Sequence, residues 1–417
     1  MNLSGTFRKN TRLAVMVGPL VTTGGLAISS LLNLAALLAW VRLLPPAEFG
    51  TLALVNAAGL MAYALAFEWL RIAGAQSLYD VVLDDVAPAR LGACIRVGTI
   101  ALLLLSVLAL GATLIGIAPP GLNPRWNIAA LLFAVSEMLL ASTTLVARLR
   151  LHAWTCALVM VGRSAAAFVI GLTLVELGFG AAGVIVGIVV AQGIVTTVAI
   201  FSEPVWRSAL ARPASRKDEV ELVRLGAPLI AGSVLALAAG IADRSIVAAQ
   251  LGLAAAGAFT APAELVAKTL GFGMMAINLS AYPLLVRAQD RRDALRRNGA
   301  ILVAASLPIF AVLVFFADPL SALLLGERYP LAPRLLPWLA GAALMRLLVT
   351  FHFGVAVQLS RRMAWLLPPP ALALVILVVA APAAIRTAGL EGMTMLLCAA
   401  QAASLLLAAG IARYVTR

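Results

Sequence analysis

The chain has 417 residues, of which 63% are hydrophobic and only 12% are charged, and its mean hydropathy is +1.03. Soluble domains carry about a quarter charged residues, so this composition excludes a soluble globular protein. The net charge of +13 is spread over short gaps between apolar runs. Because the positive residues form no basic domain, we predict no nucleic-acid binding and interpret their placement as a membrane-topology signal.

The apolar runs are unbroken, and each is long enough to cross a hydrocarbon core of about 30 Å as a helix. Strands of a membrane barrel would instead alternate apolar and polar residues. We therefore predict an all-α polytopic membrane protein with about 12 transmembrane helices. In chain order the predicted spans are 13–40, 51–78, 91–117, 127–147, 153–177, 181–202, 225–251, 256–286, 299–325, 333–358, 364–382 and 389–412.

The longest polar gap, residues 203–224, follows the sixth span and divides the chain into halves. We predict an N-terminal six-helix lobe at 1–205, an inter-lobe loop at 206–224 and a C-terminal six-helix lobe at 225–417. Two short turns, Leu43–Gly50 and Gln250–Gly257, stand half the chain apart, and each ends in glycine before an apolar run. An even number of spans per half indicates parallel repeats, as in transporters that bind substrate between two bundles.

Arginine and lysine residues gather on one side of the predicted spans, for example at Arg216, Lys217, Arg291 and Arg292. Cytoplasmic loops have this excess, so we place both termini and the 206–224 loop in the cytoplasm. The three cysteines and two histidines show no paired or clustered spacing, which predicts no metal site. We expect no cofactor.

A charge near the bilayer centre must find a partner or face a cavity, so charged residues inside the spans are candidate sites. Glu68 and Arg71 are three apart on span two, and Glu264 and Lys268 are four apart on span eight. Either spacing puts the two side chains on one helix face, where the pair can be structural or functional.

Asp243 and Arg244 are adjacent on span seven and point about 100° apart, so each needs a partner on another helix or in water. We predict that these two residues help to form an outer gate or a coupling site. The predicted gate or coupling residues are Asp243, Arg244, Glu68, Arg71, Glu137 and Glu264.

Arg163 on span five and Arg346 on span ten have no acidic residue within four positions and lie near mid-depth. Glu137 on span four could pair with either one. We predict that Arg163, Arg346 and Lys268 bind an anionic substrate. Structural ion pairing of the arginines is the alternative that the sequence leaves open.

The segment Ile241–Arg287 begins IADRSIVAAQLGLAAAGAFT and closes on an aromatic-proline-leucine turn at Tyr282. It resembles the second half of bacterial oligosaccharide and polysaccharide flippases of the multidrug/oligosaccharidyl-lipid/polysaccharide exporter superfamily. The stretch VRLLPPAEFGTLALV is similar to that family's leucine-Gly-Pro-acidic-acidic-Phe-Gly pattern in the first half. Pro45 replaces the usual glycine there, and Ala47 replaces one acidic residue.

The resemblance implies two lobes around a cavity that moves a polyprenyl-diphosphate-linked oligosaccharide across the bacterial inner membrane by alternating access. The glycan would be an exopolysaccharide or an O-antigen unit of lipopolysaccharide. The implied partners are this lipid-linked oligosaccharide, the bilayer, and a glycan polymerase or export machinery. The polar candidates for contacting its sugars are Asn33, Gln76, Gln192, Asn278 and Gln358.

Two other functions would also fit a hydrophobic chain with many spans. A cation-coupled drug or metabolite exporter of the same superfamily would use a lone buried carboxylate in the first half, and Glu68 or Glu137 could serve. A membrane-embedded enzyme would need acids, bases or metal ligands in an aqueous loop. The predicted outer loops are short and contain no carboxylate–histidine cluster, so we predict that the protein is not an enzyme.

The topology is testable with cysteines introduced at Ser215 and Ala47. A membrane-impermeant thiol reagent added to intact cells should label Ala47→Cys and leave Ser215→Cys unlabelled until the cells are broken. The parent chain, with its own three cysteines, gives the background. Labelling of Ser215→Cys in intact cells would contradict the predicted orientation.

Overall fold

The computed structural model describes residues 4–71, 73, 87–117, 122–149, 152–202, 206, 209, 215–360 and 362–415, and every regular element in these ranges is helical. The helices of the first half are α1 (Ser4–Leu43), α2 (Pro46–Tyr63), α3 (Ala87–Leu114), α4 (Trp126–Leu149), α5 (Ala153–Leu174) and α6 (Gly180–Ser202). Those of the second half are α7 (Arg216–Leu251), α8 (Leu253–Arg287), α9 (Arg291–Phe315), α10 (Ala317–Leu324), α11 (Ala332–Leu348), α12 (Gly354–Leu359) and α13 (Pro368–Val415).

Three short π-helical turns interrupt these helices. Ala64–Glu68 extends α2, Val175–Phe179 joins α5 to α6, and Val349–Phe353 joins α11 to α12. A π-helical turn inserts an extra residue into the helical repeat and is frequent at functional sites. The first and third of these turns adjoin charged residues predicted as sites, Glu68 and Arg346.

Nine stretches within the described ranges are long and apolar enough to cross a membrane. Two of them, Ala153–Ser202 and Ala364–Val415, are 50 and 52 residues long. At about 1.5 Å per residue each exceeds twice the thickness of the hydrocarbon core, so each supplies two spans. The chain turns at Gly178 and at Gly389, where φ is 89° and 58°. With α8 added, these stretches account for the spans predicted from the sequence, and the protein is an all-α, multi-pass membrane protein.

The outward surface of α3 is aliphatic. Leu103, Leu104, Val107 and Leu108 are between 61% and 70% exposed on the isolated chain. A water-facing helix would show an apolar stripe on one side and charges on the other. Exposed leucine and valine side chains along consecutive turns are the surface expected where a helix meets lipid.

The predicted inter-lobe loop needs a correction, because residues 216–224 are the first turns of α7. The Ser215 side chain accepts a hydrogen bond from the backbone N–H of Asp218, and Asp218 and Glu219 lie in the first turn. This capping and the acidic residues stabilise a helix end that the hydropathy pattern alone assigned to a polar loop. The division of the chain into lobes at 205 and 225 stays a prediction.

The beginning of α7 packs against helices of the first half. Leu222 is buried in a cluster with Phe67 and Trp69, and a Cβ at Gly226 would come within 2.2 Å of the Trp69 ring. Nη1 of Arg96 on α3 lies 3.2 Å from Oε1 of Glu219. This end of α7 therefore connects the two halves on the side predicted to face the cytoplasm.

The two halves meet again at the opposite end, where the repeated turns of the sequence touch each other. A Cβ added at Gly50 would lie 2.1 Å from the carbonyl oxygen of Leu253, and one at Gly257 would lie 1.8 Å from that of Pro46. The first turns of α2 and α8 thus pack backbone against backbone. Only glycine, which lacks Cβ, permits this approach at both positions.

Hydrogen bonds surround this glycine contact. Arg42 at the end of α1 donates to the carbonyl oxygen of Leu323 on α10, and Nη1 of Arg328 donates to the carbonyl oxygens of Arg42 and Leu43 at 3.1 and 3.3 Å. Glu48, in the first turn of α2, accepts the backbone N–H of Ala181 at 2.9 Å. The arginine bonds tie the predicted outer ends of the two halves together, and the Glu48 bond holds α2 to α6 within the first half.

Replacement of Gly50 or Gly257 should separate the touching ends of α2 and α8. Gly50→Ala or Gly257→Ala places a methyl group against backbone that cannot rotate away, so we expect a loss of about 1–3 kcal/mol for the closed arrangement. Gly193→Ala is the matched control, because a Cβ there meets nothing within 4 Å. Spin-label distances between the outer ends of α2 and α8 should lengthen in the two variants. Unchanged distances would contradict the steric argument.

Candidate functional site

A buried ionic cluster joins α7 to α8. Nη1 of Arg244 donates to Oε1 of Glu264 at 3.0 Å across the helix boundary. Oδ1 of Asp243 accepts the backbone N–H of Arg244 at 2.7 Å and lies 3.7 Å from its Nε. Nζ of Lys268 is 3.7 Å from Oε2 of Glu264. The Arg244 side chain is only 13% exposed, so this ion pair is largely removed from solvent.

Arg346 approaches the same cluster from α11. A Cβ at Gly240 would lie 3.6 Å from its Nη1, which places the guanidinium against α7 three residues before Asp243. Its charge acts on both Asp243 and Glu264. Arg346 makes no ion pair at 4 Å or less with any described residue. Its side chain is half-buried, so its donors remain free for another anion.

The charges of this second-half cluster do not balance. Arg244, Lys268 and Arg346 face the two carboxylates of Asp243 and Glu264. Arg244 is used by both carboxylates, which leaves Lys268 and Arg346 less fully neutralised. Lys268 is also the more exposed partner of its pair, at 37%. The arrangement can hold an anion at its Lys268 and Arg346 side.

Arg163 belongs to a separate network in the first half. Its Nη1 lies 3.8 Å from Oε2 of Glu137 on α4. The same carboxylate accepts a hydrogen bond from Nε2 of Gln192 on α6, and Oε1 of Gln192 accepts the hydroxyl of Ser136 at 2.5 Å. Gln192 is fully buried. This network joins α4, α5 and α6 and neutralises the arginine that it contains.

Polar side chains of α1 and α5 lie beside this network in the chain. Ser29 and Ser164 share a hydrogen bond at 2.7 Å, and Nδ2 of Asn33 donates to Oγ of Ser164 at 3.1 Å. Ser164 follows Arg163 directly, so the polar faces of α1 and α5 meet one residue away from the arginine. This contact supplies hydroxyl and amide groups without a charge.

The local pair on span two is present with an additional partner. Nε and Nη2 of Arg71 donate to the two oxygens of Glu68 at 2.8 and 2.5 Å, which is a bidentate pair. The hydroxyl of Tyr63 donates to Oε2 of Glu68 at 2.7 Å. Tyr63 and Glu68 are five residues apart, and the π-helical turn between them brings both side chains to one face.

The structure therefore places the predicted residues in three groups. The pairs Glu68–Arg71 and Glu264–Lys268 form as their spacing predicted, and Arg244 finds the partner on another helix that its position required. Arg163 and Arg346 do not share a network in the described part of the chain. The predicted sugar contact Gln76 lies outside the described residues.

Sequence reasoning did not identify Tyr63, Ser29, Ser164 or Ser136 as parts of these networks. A π-helical spacing is not visible in a pattern of apolar residues, and serine occurs on every face of these helices. Asn278, a predicted sugar contact, has a buried side-chain oxygen without a hydrogen-bond partner. A buried amide oxygen of this kind needs a partner, which a water molecule or a ligand group would supply.

A family model described as polysaccharide biosynthesis protein matches residues 88–332, which is more than half of the chain. The chain belongs to this family. A search of curated proteins found no match. The matched region runs from the beginning of α3 to the beginning of α11 and includes Asp243, Arg244, Glu264 and Lys268, while Arg346 lies outside it.

Solved structures of transporters have the same fold. The lipid II flippase MurJ in an inward closed conformation matches with a TM-score of 0.67 and 12% identity, covering 94% of this chain and 87% of that one. A transporter of the MOP superfamily from Pyrococcus furiosus, described as having a binding pocket of reverse polarity, gives 0.59 and 16% over 97% and 96%. An inward-facing multidrug resistance MATE transporter gives 0.61 and 15% over 95% and 99%. At these identities the likeness defines the fold of this membrane protein.

The Arg244–Glu264 pair should contribute strongly to stability. Glu264→Gln leaves a buried guanidinium without its main partner, so we expect a loss of about 3–5 kcal/mol. Glu391→Gln is the matched control, because its partner Arg334 is 74% exposed and such surface pairs contribute about 0–1 kcal/mol. Melting temperatures of the detergent-purified variants measure the difference. Equal shifts for the two variants would show that the buried pair adds nothing.

Proposed function

We propose that this protein flips a polyprenyl-diphosphate-linked oligosaccharide from the cytoplasmic to the outer leaflet of the bacterial inner membrane. The observation that carries the proposal is the second-half cluster, where Arg346 and Lys268 hold positive charge that the nearby carboxylates do not fully neutralise. Membership of the polysaccharide biosynthesis family supports a glycan cargo. The MurJ-like fold supports a lipid-linked one.

The chemistry of a diphosphate matches this cluster. A diphosphate in a site of low dielectric constant requires fixed cations, and a guanidinium binds it through two parallel N–H donors. Arg346 approaches α7 with free donors, and Lys268 stands one turn after Glu264 on α8. We assign the phosphate contacts to these two residues. Arg163 remains a candidate third contact, but its charge is already shared with Glu137.

Polar groups of the first half suit the sugars. Asn33 on α1 is half-buried and offers an amide without a surplus charge, whereas Ser164 and Gln192 are buried and already hydrogen-bonded behind this surface. Sugar hydroxyls exchange hydrogen bonds with such groups at little cost relative to water. The glycan would then lie toward the first half while the phosphates lie against the second. The lipid tail can stay in the bilayer beside the protein.

The cation-coupled exporter is the weaker alternative. Such an exporter requires a lone buried carboxylate in the first half, and the candidates are Glu68 and Glu137. Glu68 accepts three hydrogen bonds, from Arg71 and Tyr63, and Glu137 contacts Arg163 and Gln192. A carboxylate that is neutralised by an arginine is a poor site for reversible cation binding, which favours the flippase.

The glycine contact supports a role in alternating access. The halves touch at the ends predicted to be outside, so release to the outer leaflet would require the first turns of α2 and α8 to separate. The predicted six-helix lobes would be the moving bodies. Both termini would lie in the cytoplasm, and a glycan polymerase or export machinery would receive the transported oligosaccharide on the other side.

Variants of Arg346 test the proposal in vesicles that contain purified protein and a fluorescent polyprenyl-diphosphate oligosaccharide. Loss of one charge-assisted interaction, of order 1.5–3 kcal/mol, should weaken substrate binding about ten- to hundred-fold in Arg346→Ala. Arg346→Lys keeps the charge but loses the paired donors, so flipping should be intermediate. Arg386→Ala removes an exposed arginine whose Nε donates to the Pro382 carbonyl oxygen of its own helix, and this variant should flip normally.

Melting temperatures of the same variants separate binding from folding. The proposal expects Arg346→Ala to retain a melting temperature close to that of the parent protein while flipping falls. Normal flipping by Arg346→Ala would exclude the phosphate contact. Equal loss of flipping and of thermal stability would assign Arg346 to a structural role with Asp243 and Glu264.

A further inference from the structure

The two ends of α13 meet on one side of the membrane. Because α13 contains two spans joined at Gly389, the segment before its first turn returns to the neighbourhood of its last turn. The rings of Trp365 and Tyr414 have centroids 5.6 Å apart. Arg413, which is exposed, directly precedes Tyr414 in the last turn. By the arginine and lysine distribution, this is the side predicted to face the cytoplasm.

Arg362 lies over one of these rings. Its guanidinium carbon is 5.8 Å from the centroid of Tyr414. The Arg362 side chain is exposed and makes no ion pair with any carboxylate of the described ranges. A guanidinium that rests its face on an aromatic ring keeps the N–H groups at its edge free. We call Arg362, Trp365, Arg413 and Tyr414 the Arg362 cluster.

The side chains around Arg362 are of the kinds found where a protein contacts lipid headgroups. Trp365 is 40% and Tyr414 is 61% exposed, and tryptophan and tyrosine favour the level where headgroups meet acyl chains. Farther along α13, Val378, Val379 and Leu406 are between 57% and 74% exposed. At about 1.5 Å per residue, Val378 lies roughly 20 Å beyond Trp365, within the reach of an acyl chain. The positively charged and aromatic side chains therefore lie where lipid headgroups are expected. The exposed aliphatic side chains of α13 lie where acyl chains are expected.

We propose that the Arg362 cluster binds an anionic phospholipid, with the phosphate on the free edge of Arg362 and the acyl chains along α13. Arg362 has no carboxylate partner among the described residues, and this favours a headgroup with net negative charge, because the ammonium group of a zwitterionic lipid is repelled there. The site is distinct from the second-half cluster, which lies on α7, α8 and α11. It requires no transport activity of the protein.

Native mass spectrometry of the full-length protein in detergent, titrated with phosphatidylglycerol, measures this binding directly. Arg362→Gln removes the charge, and we expect about tenfold weaker binding of phosphatidylglycerol. Tyr414→Leu removes the ring that orients the guanidinium, so binding should also weaken. Arg297→Gln is the matched control, because Arg297 is an exposed arginine on the same side that is already paired with Asp293. Its binding should equal that of the parent protein.

Three results of the same titration would contradict the proposed lipid site. Equal affinity of the parent protein for phosphatidylcholine would remove the preference for an anionic headgroup. Equal weakening by Arg297→Gln would reduce the effect to general surface charge, and inorganic phosphate competing at the concentration of the lipid would show an anion site without a lipid. Melting temperatures measured without added lipid must be alike in all variants. If Arg362→Gln unfolds, Arg362→Lys decides, since it should bind with intermediate affinity while folded.

Discussion

An unpaired charge inside hydrocarbon costs a few kcal/mol or more, and this cost governs where the charged residues of the protein lie. Among the described residues, most charged side chains near mid-depth lie beside an opposite charge, and Arg346 is the exception. Glu68 meets Arg71, Arg163 meets Glu137, and Arg244 meets Glu264. The pairs also fix helices to each other, because Arg163 and Arg244 reach across to a neighbouring helix. The ion pairs that neutralise the buried charges therefore also hold the transmembrane helices together.

The two halves of the chain neutralise their buried charges differently. The first half balances Arg163 with Glu137 and surrounds the pair with Gln192 and Ser136. The second half brings Arg346 to a cluster whose carboxylates already share Arg244. Unequal charge in the two halves suits the proposed substrate, since a lipid-linked oligosaccharide carries its diphosphate charge at one end and sugar hydroxyls at the other. The proposed division between phosphate and sugar contacts follows from this difference.

Backbone contact, not side-chain chemistry, closes the predicted outer end. Gly50 and Gly257 occupy corresponding positions of the two repeats and bring α2 and α8 to a distance that no other residue allows. Arg42 and Arg328 add hydrogen bonds to carbonyl oxygens at the same end. Bonds of this type are exposed to water and can be exchanged for hydration when the ends separate. A contact of small residues with replaceable hydrogen bonds suits a surface that opens and closes.

Composition and hydropathy by themselves determined the all-α membrane fold, the number and order of spans, and the local pairs Glu68–Arg71 and Glu264–Lys268, because these depend on helix length and on spacing along one helix. They also identified the repeated glycine turns. Only the tertiary structure decided that the two turns touch, that Arg244 pairs with Glu264, and that Arg163 and Arg346 belong to different networks. The same holds for residues 216–224, which are helical because of capping by Ser215. Contacts between helices depend on how each helix is rotated about its axis and on how closely two helices approach. A residue pattern along one chain specifies neither quantity.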